Sequence, residues 1–308
     1  MISYFARRLL LLIPVFLGLS VVIFMIIHLV PGDPIDHILQ IGSSPERKAA
    51  LMAKYGFDQP LLVQYGIWLG KLVQGDLGDA IILKQPVSTL IAQNLPYSLA
   101  LGSAALVFST VIGVTIGALA AMAKDSFFDR ALMGIILAGS TVPSFWLGLM
   151  MILIFAVELG WFPVSGAKNW QAMVLPVLTI GLGGIALVAR VTRVAMLDAA
   201  RQDFVLMLHA KGVSRREIYL RHILRHAMLP VVTLLGLKIG WILGGAVTIE
   251  FVFARPGLGS LLITSLNQRD YPVVQGCLLM LGIAVMLGTL LADIVQAAMD
   301  PRIRDRVS

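Results

Sequence analysis

The chain has 308 residues, 58% hydrophobic and only 13% charged, with 24 Lys and Arg against 17 Asp and Glu. Soluble domains carry roughly 25% charged and about 45–50% apolar residues, so this composition excludes an ordinary cytosolic enzyme, a secreted disulfide scaffold and a disordered tail. The apolar surplus needs a bilayer as solvent, and the net charge of +7 then reflects basic loops on one membrane face rather than a nucleic-acid surface.

Arg7 and Arg8 precede a first apolar run, Leu9 to Val30. It is too long for a signal-peptide core and lacks a small-residue cleavage site, so a retained anchor is expected. A helix needs about 20 residues to cross the hydrocarbon. Further spans are expected at Tyr97 to Met122, Ala131 to Val157, Ala172 to Ala189 plus a turn, Met228 to Ile249, and Val273 to Ala292 plus a turn. The expected fold is all-α: a polytopic membrane protein with six transmembrane helices.

Alternate loops differ in charge. Met1–Arg8, Lys124–Arg130, Arg190–Arg225 and Met299–Ser308 hold 15 Lys and Arg, against 8 in the longer set Pro31–Pro96, Glu158–Gln171 and Glu250–Pro272. Basic loops stay inside, so both termini are expected to be cytoplasmic. The organisation follows: 1–30 is the N-terminal tail and first helix, 31–96 an outer loop with short helices, 97–299 a five-helix core with an inner loop at 190–228, and 300–308 a cytoplasmic tail.

Within the outer loop, Ser44-Pro45 resembles a helix start running to Tyr55 before Gly56. Pro60 opens a second short helix with Leu62, Tyr65, Leu69 and Leu72 on one face and Trp68 at the interface. Such a pair would lie on the outer membrane surface as a cap; a docking surface for an external partner is the alternative. Further on, Ser260 to Leu266 forms another short apolar helix before the last span.

Two small-residue stripes suit close helix contact: Ser109, Gly113, Gly117 and Ala121 in the second span, and Gly236, Gly240 and Gly244 in the fifth. Lys238 interrupts the fifth span near the midplane, where an ammonium is costly without water or a carboxylate. Two placements stay open: facing the translocation pathway, where it would favour carboxylate-bearing solutes, or paired with an acid such as Asp293 or one in a sister subunit. No metal site is expected; His222 and His226 stand at i, i+4 among basic residues, and Cys277 is the one cysteine.

The inner loop is more than a connector. Gln202–His209 is amphipathic, Gly212 suits a helix C-cap, and Ser214 with Glu217 forms a capping box for a short basic helix around Val213–Arg221. Leu229-Pro230 then re-enters the membrane. Helix, break and helix together point to docking of a cytoplasmic protein through Ala210, Lys211, Gly212, Val213, Ser214, Arg215, Arg216 and Glu217.

Ala210-Lys211-Gly212 followed by Leu229-Pro230 resembles the cytoplasmic signature of ABC-importer permeases, with His209 and Lys211 where acidic or small residues are usual. Pro31-Gly32-Asp33-Pro34, Asp58-Gln59-Pro60-Leu61, Gly75-Asp76-Leu77-Gly78, Pro143-Ser144-Phe145-Trp146-Leu147, Pro256-Gly257-Leu258-Gly259, Arg269-Asp270-Tyr271-Pro272-Val273-Val274-Gln275 and Asp300-Pro301-Arg302-Ile303-Arg304 resemble the dipeptide/oligopeptide/nickel branch, in order along nearly the whole chain. The resemblance implies a type I ABC importer fold and the first-permease subunit, in the bacterial inner membrane. Its implied partners are a second homologous permease, two cytoplasmic ATPases that use ATP and magnesium, and an external solute-binding protein. It also implies that Arg255, Pro256, Gly257, Leu258 and Gly259 face the outer gate and the binding protein, although Arg255 stands where an aromatic is common; a turn that merely orders two helices is the alternative.

No G-x-x-x-x-G-K-[ST] loop occurs; Gly66 to Leu72 has the wrong spacing. The chain is therefore expected to bind no cofactor and to catalyse nothing, with short peptides the expected cargo and glutathione or nickel chelates the alternatives. A secondary transporter or channel would need intramembrane relays or repeated halves, and a membrane hydrolase a nucleophile with a partner; neither pattern is present in the sequence.

Overall fold

The computed structural model describes residues 2–29, 46 and 58–299. The expected helix at Ser44-Pro45, the Pro31-Gly32-Asp33-Pro34 motif and the tail from Asp300 lie outside the described residues. The elements are helical: α1 (Ile2–Leu29), α2 (Leu61–Val73), α3 (Val87–Met122), α4 (Phe127–Ser140) and α5 (Ser144–Met151), which widens into a π-helical stretch, Ile152–Glu158. α6 (Gln171–Ala199), α7 (Asp203–Ala210) and α8 (Arg215–Glu217) follow. π-helical Ile218–Ile223 joins α8 to α9 (Leu224–Val252), and α10 (Leu258–Asn267) and α11 (Tyr271–Met299) close the described part.

Among the described residues, α1, α3, α6 and α11 are long and apolar enough to cross a membrane, and α4 with α5 makes a fifth candidate. That fifth differs from the continuous span expected over Ala131 to Val157: its halves are bent by 96°. Pro143 supplies no N–H and pushes Val142 out of helical geometry, so the chain turns at Thr141 to Pro143.

Several helices outrun their apolar runs. α3 begins at Val87 rather than Tyr97 and carries Pro96 inside it. At about 1.5 Å per residue its 36 residues reach roughly 54 Å, well beyond a hydrocarbon core of about 30 Å. α6 likewise continues past Ala189 to Ala199, so the first ten residues of the expected inner loop are helix. The basic helix expected around Val213–Arg221 is not separate, because α8 runs on through the π-helical turns and Pro230 into α9.

The helices pack through their smallest residues. α3 on α6 is the most extensive contact. A Cβ on Gly113 would lie 2.7 Å from the Val188 Cβ, and one on Gly117 would lie 2.7 Å from the Thr192 Cβ, so only glycine permits the approach. Gly236 meets Ala292 of α11 in the same way, at 2.8 Å. Gly244 does not extend this contact: it is exposed and its Cβ position has no neighbour within 4 Å. The surroundings of Gly240 lie outside the described residues.

α2 lies against α1 through Tyr65 and Trp68 on Phe24, with the Ser20 and Tyr65 hydroxyls 2.8 Å apart. Tyr65, Leu69 and Leu72 are half-buried as the expected face requires, but Leu62 is 86% exposed. It sits in the first turn, beyond the reach of α1's aromatic patch.

Arg8 of α1 pairs with Asp293 of α11 at 2.8 Å, which puts the start of the first helix and the end of the last at one end of the bundle. Ala121, Met196, Val205, Ile218 and Ile223 share a cluster at that end. Ala80, Val87, Leu258, Val273 and Cys277 cluster at the other.

Candidate functional site

Three features stand along the bundle: a basic surface at one end, a cavity in the middle and a tied-down helix at the opposite end. At the basic end, Ser126 caps α4 and Asp129 anchors it. Its backbone N–H donates to the Ser126 hydroxyl, while its carboxylate accepts two hydrogen bonds from Arg193 of α6, at 2.7 and 2.6 Å, and one from the Asp125 N–H. Asp129 is 1% exposed. Removing one partner of such a buried pair costs about 3 kcal/mol or more, whereas apolar replacement of both is often neutral. Asp129→Ala should therefore lower the melting temperature of the detergent-solubilised protein, and Asp129→Leu with Arg193→Met should recover most of the loss. Equal melting temperatures for wild type and Asp129→Ala would contradict the assignment.

Beyond α6 the chain bends at Ala200 to Gln202 into α7, an eight-residue helix held by Val205 on the core cluster. Its other face carries Leu206, 75% exposed, and Met207. Ala210 ends α7, and Lys211 and Gly212 turn the chain, with Gly212 at φ +74° donating its N–H to the His209 carbonyl at 2.9 Å. The N–H of Val213 reaches the Leu208 carbonyl at 3.2 Å, an arrangement that satisfies the last carbonyls of α7. The Ser214 hydroxyl accepts from the Glu217 N–H, but the Glu217 carboxylate pairs with Arg221 instead of returning to Ser214, so half of the expected capping box forms. Lys211, Arg215, Arg216 and Glu217 are exposed, so two bulky apolar side chains and three cations are exposed within one short segment. Leu206 and Met207 were not singled out from the sequence; an apolar pair in a highly basic segment was the signal for them.

Midway along the bundle, α3, α6, α9 and α11 line an open cavity of about 660 Å³. Lys238 is on its wall with Ser109, Gly183, Gly184 and Thr289; the remaining lining is apolar or glycine. The Lys238 ammonium donates to the Gly184 carbonyl at 3.2 Å. No ion pair joins Lys238 to Asp293 among the described residues; Asp293 pairs with Arg8.

At the opposite end the turn Arg255 to Gly259 sets α10 in place. Four successive N–H groups find side-chain acceptors on other elements: Gly257 on Asn94 at 3.2 Å, Leu258 on Ser98 at 2.8 Å, and Gly259 and Ser260 on the Glu250 carboxylate at 2.8 and 3.3 Å. These are the orphan donors of a helix start, and charge-assisted acceptance at that point is favourable. A Cβ on Gly257 would run into the Glu250 carboxylate, and one on Gly259 into the Val247 backbone. Pro256 and Gly257 thus let the turn pass close over α9. Arg255 is 4% exposed and donates to the Gly166 carbonyl at 3.4 Å. Burial pulls its pKa below the ordinary range, opposed by the charge of Glu250. Nearby, the Asp270 carboxylate accepts from the Ile82 N–H at 2.9 Å, so sequence motifs at 75–78, 256–259 and 269–275 meet in one place. Glu250 carries no role in the sequence reading, where it is only the first residue of the outer loop Glu250–Pro272.

Residues 113–305 match the model of the binding-protein-dependent transport system inner membrane component, and residues 1–102 the N-terminal model of the same transport systems. The chain is 40% identical over 308 residues to the glutathione transport system permease protein GsiC of Escherichia coli O6:H1, covering 99% of each chain. It is 39% identical, with the same coverage, to the proteins of that name from Escherichia coli K12 and Salmonella typhi. The fold is similar to the methionine ABC transporter MetNI in inward-facing conformation, with a TM-score of 0.60 at 19% identity over 68% of this chain and 96% of that one. An amino acid ABC transporter solved with histidines gives a TM-score of 0.53 at 17% identity over 68% and 94%. The chain belongs to the binding-protein-dependent ABC importer permease family and is a multi-pass inner-membrane permease subunit.

Proposed function

We propose that this permease forms half of the pathway for short peptides, glutathione included, delivered by an external binding protein. The observation that carries the cargo class is the full-length similarity to glutathione transport permeases, since glutathione is itself a tripeptide. Six spans cross the bilayer, with α9 as the fifth in sequence and α4 with α5 as the bent third. Both termini are cytoplasmic, in keeping with the Arg8–Asp293 pair and the basic residues at that end. The division at 1–30, 31–96, 97–299 and 300–308 describes the chain's regions, with α3 crossing the boundary at 96.

α7 and the turn Ala210 to Glu217 seat in a cytoplasmic ATPase, whose rigid-body movement passes to α6 and α9. ATP and magnesium act on that partner, and a homologous permease completes the pathway. Lys238 lines it, and Arg255 to Gly259, themselves mostly buried, hold α10 in place at the outer gate that the binding protein meets.

The cargo class is tested by competition. In vesicles with the complete complex and its binding protein, unlabelled di- and tripeptides should suppress uptake of a labelled tripeptide, and nickel chelates should not. Uptake suppressed only by a non-peptide solute would contradict the proposal.

A further inference from the structure

Lys238 is the central residue of α9, fourteen positions from Leu224 and from Val252. At about 1.5 Å per residue the ammonium is roughly 21 Å from either helix end, too far for its stem to reach an aqueous interface along the helix. An ammonium has three N–H donors, and the structure gives one bond, to the Gly184 carbonyl. Among the described residues no carboxylate lies within ion-pair distance: Asp293 is held by Arg8, and Glu250 caps α10 at the far end of α9.

The walls supply no anion either. The Ser109 and Thr289 hydroxyls donate to their own helices, at the Leu106 and Val285 carbonyls. Their oxygens are left as acceptors for an N–H group. A cation with two donors to spare, sharing with hydroxyl acceptors the wall of an otherwise apolar cavity of about 660 Å³, matches a small solute bearing both a carboxylate and N–H groups.

We propose that Lys238 is the anchor of a carboxylate-binding subsite inside the membrane, so that the permease itself selects solutes with a free carboxylate over amidated or cationic ones. This rests on the cavity being part of the pathway. Gly184 shapes the subsite: a Cβ there would lie 2.9 Å from the Ser109 Cβ and 3.2 Å from the ammonium. In the resting position its carbonyl holds the ammonium, and the solute carboxylate takes the remaining donors as it passes.

The test uses the complete complex in proteoliposomes and compares uptake of a tripeptide with uptake of its C-terminal amide. The comparison is made for wild type, Lys238→Met and Lys238→Arg. Any preference of the binding protein is common to all three and cancels in the ratio of ratios. Loss of a charge-assisted hydrogen bond should reduce the acid-to-amide preference roughly tenfold in Lys238→Met, and Lys238→Arg should retain it within about threefold. Lys238→Met removes an intramembrane charge, so insertion should not suffer.

An unchanged ratio in Lys238→Met would overturn the subsite alone. Equal loss of acid and amide uptake would also overturn it, and would assign Lys238 to a contact with the sister permease. Uptake of neither peptide by the wild type would overturn both the subsite and the peptide proposal.

Discussion

Gly212→Pro, or the pair Arg215→Glu and Arg216→Glu, is expected to abolish transport while leaving membrane insertion intact. Gly212 sits at φ +74° and donates to the His209 carbonyl. Proline holds φ near −65° and has no N–H, so the turn that separates α7 from α8 cannot form. The arginine pair acts differently. Both side chains are exposed; in the proposed docked complex, reversal would replace two attractions with two repulsions, costing several kcal/mol. Binding-protein-stimulated ATP hydrolysis should fall at least tenfold in either variant, and the ATPase should no longer co-purify with the charge-reversed permease. Stimulated hydrolysis at the wild-type rate would rule out this surface as the coupling element.

Glu250→Ala should have the second largest effect, at the opposite end. Its carboxylate satisfies two N–H groups at the start of α10 from a site 1% exposed. Each buried donor left without an acceptor costs about 1–3 kcal/mol. α10 would then come loose from α9, with Asn94 and Ser98 as its remaining side-chain ties. The expected result is loss of uptake together with ATP hydrolysis that no longer depends on the binding protein. Glu250→Gln keeps a carbonyl acceptor for Gly259 and should retain most of the uptake. Gly259→Val, which drives a side chain into the Val247 backbone, should resemble Glu250→Ala. If Glu250→Ala transports normally, α10 is not a gate element.

The apolar runs locate α1, α3, α6 and α11 well, because a span of 20 greasy residues has few alternatives. Their ends are less legible. Backbone hydrogen bonds carry α6 ten residues past Ala189, through Arg190 and Arg193, since a helix outside the bilayer needs no apolar residues to continue. The bend at Thr141 to Pro143 did have a signal in Pro143, which the unbroken hydropathy of Ala131 to Val157 masked.

Glycine spacing identifies residues that pack closely, as at Gly113, Gly117 and Gly236. It does not say which helix they meet, and it carries over to Gly244, which meets none among the described residues. Asp129 and Arg193, 64 residues apart, could be joined only by folding α4 onto α6. The turn of the inner loop was legible because Gly212 and Ser214 have local jobs. The amphipathic character of α7 was legible too, but the exposure of Leu206 and Met207 was not, because which apolar residues are covered depends on the core beneath them.

Solute accumulation in proteoliposomes tests the central claim most directly, with the complete complex, the binding protein on one side and ATP on the ATPase side. Peptide should accumulate against its gradient only when ATP and binding protein are both present, and not at all in Gly212→Pro. Accumulation driven by an ion gradient without ATP would contradict the account and assign the chain to secondary transport.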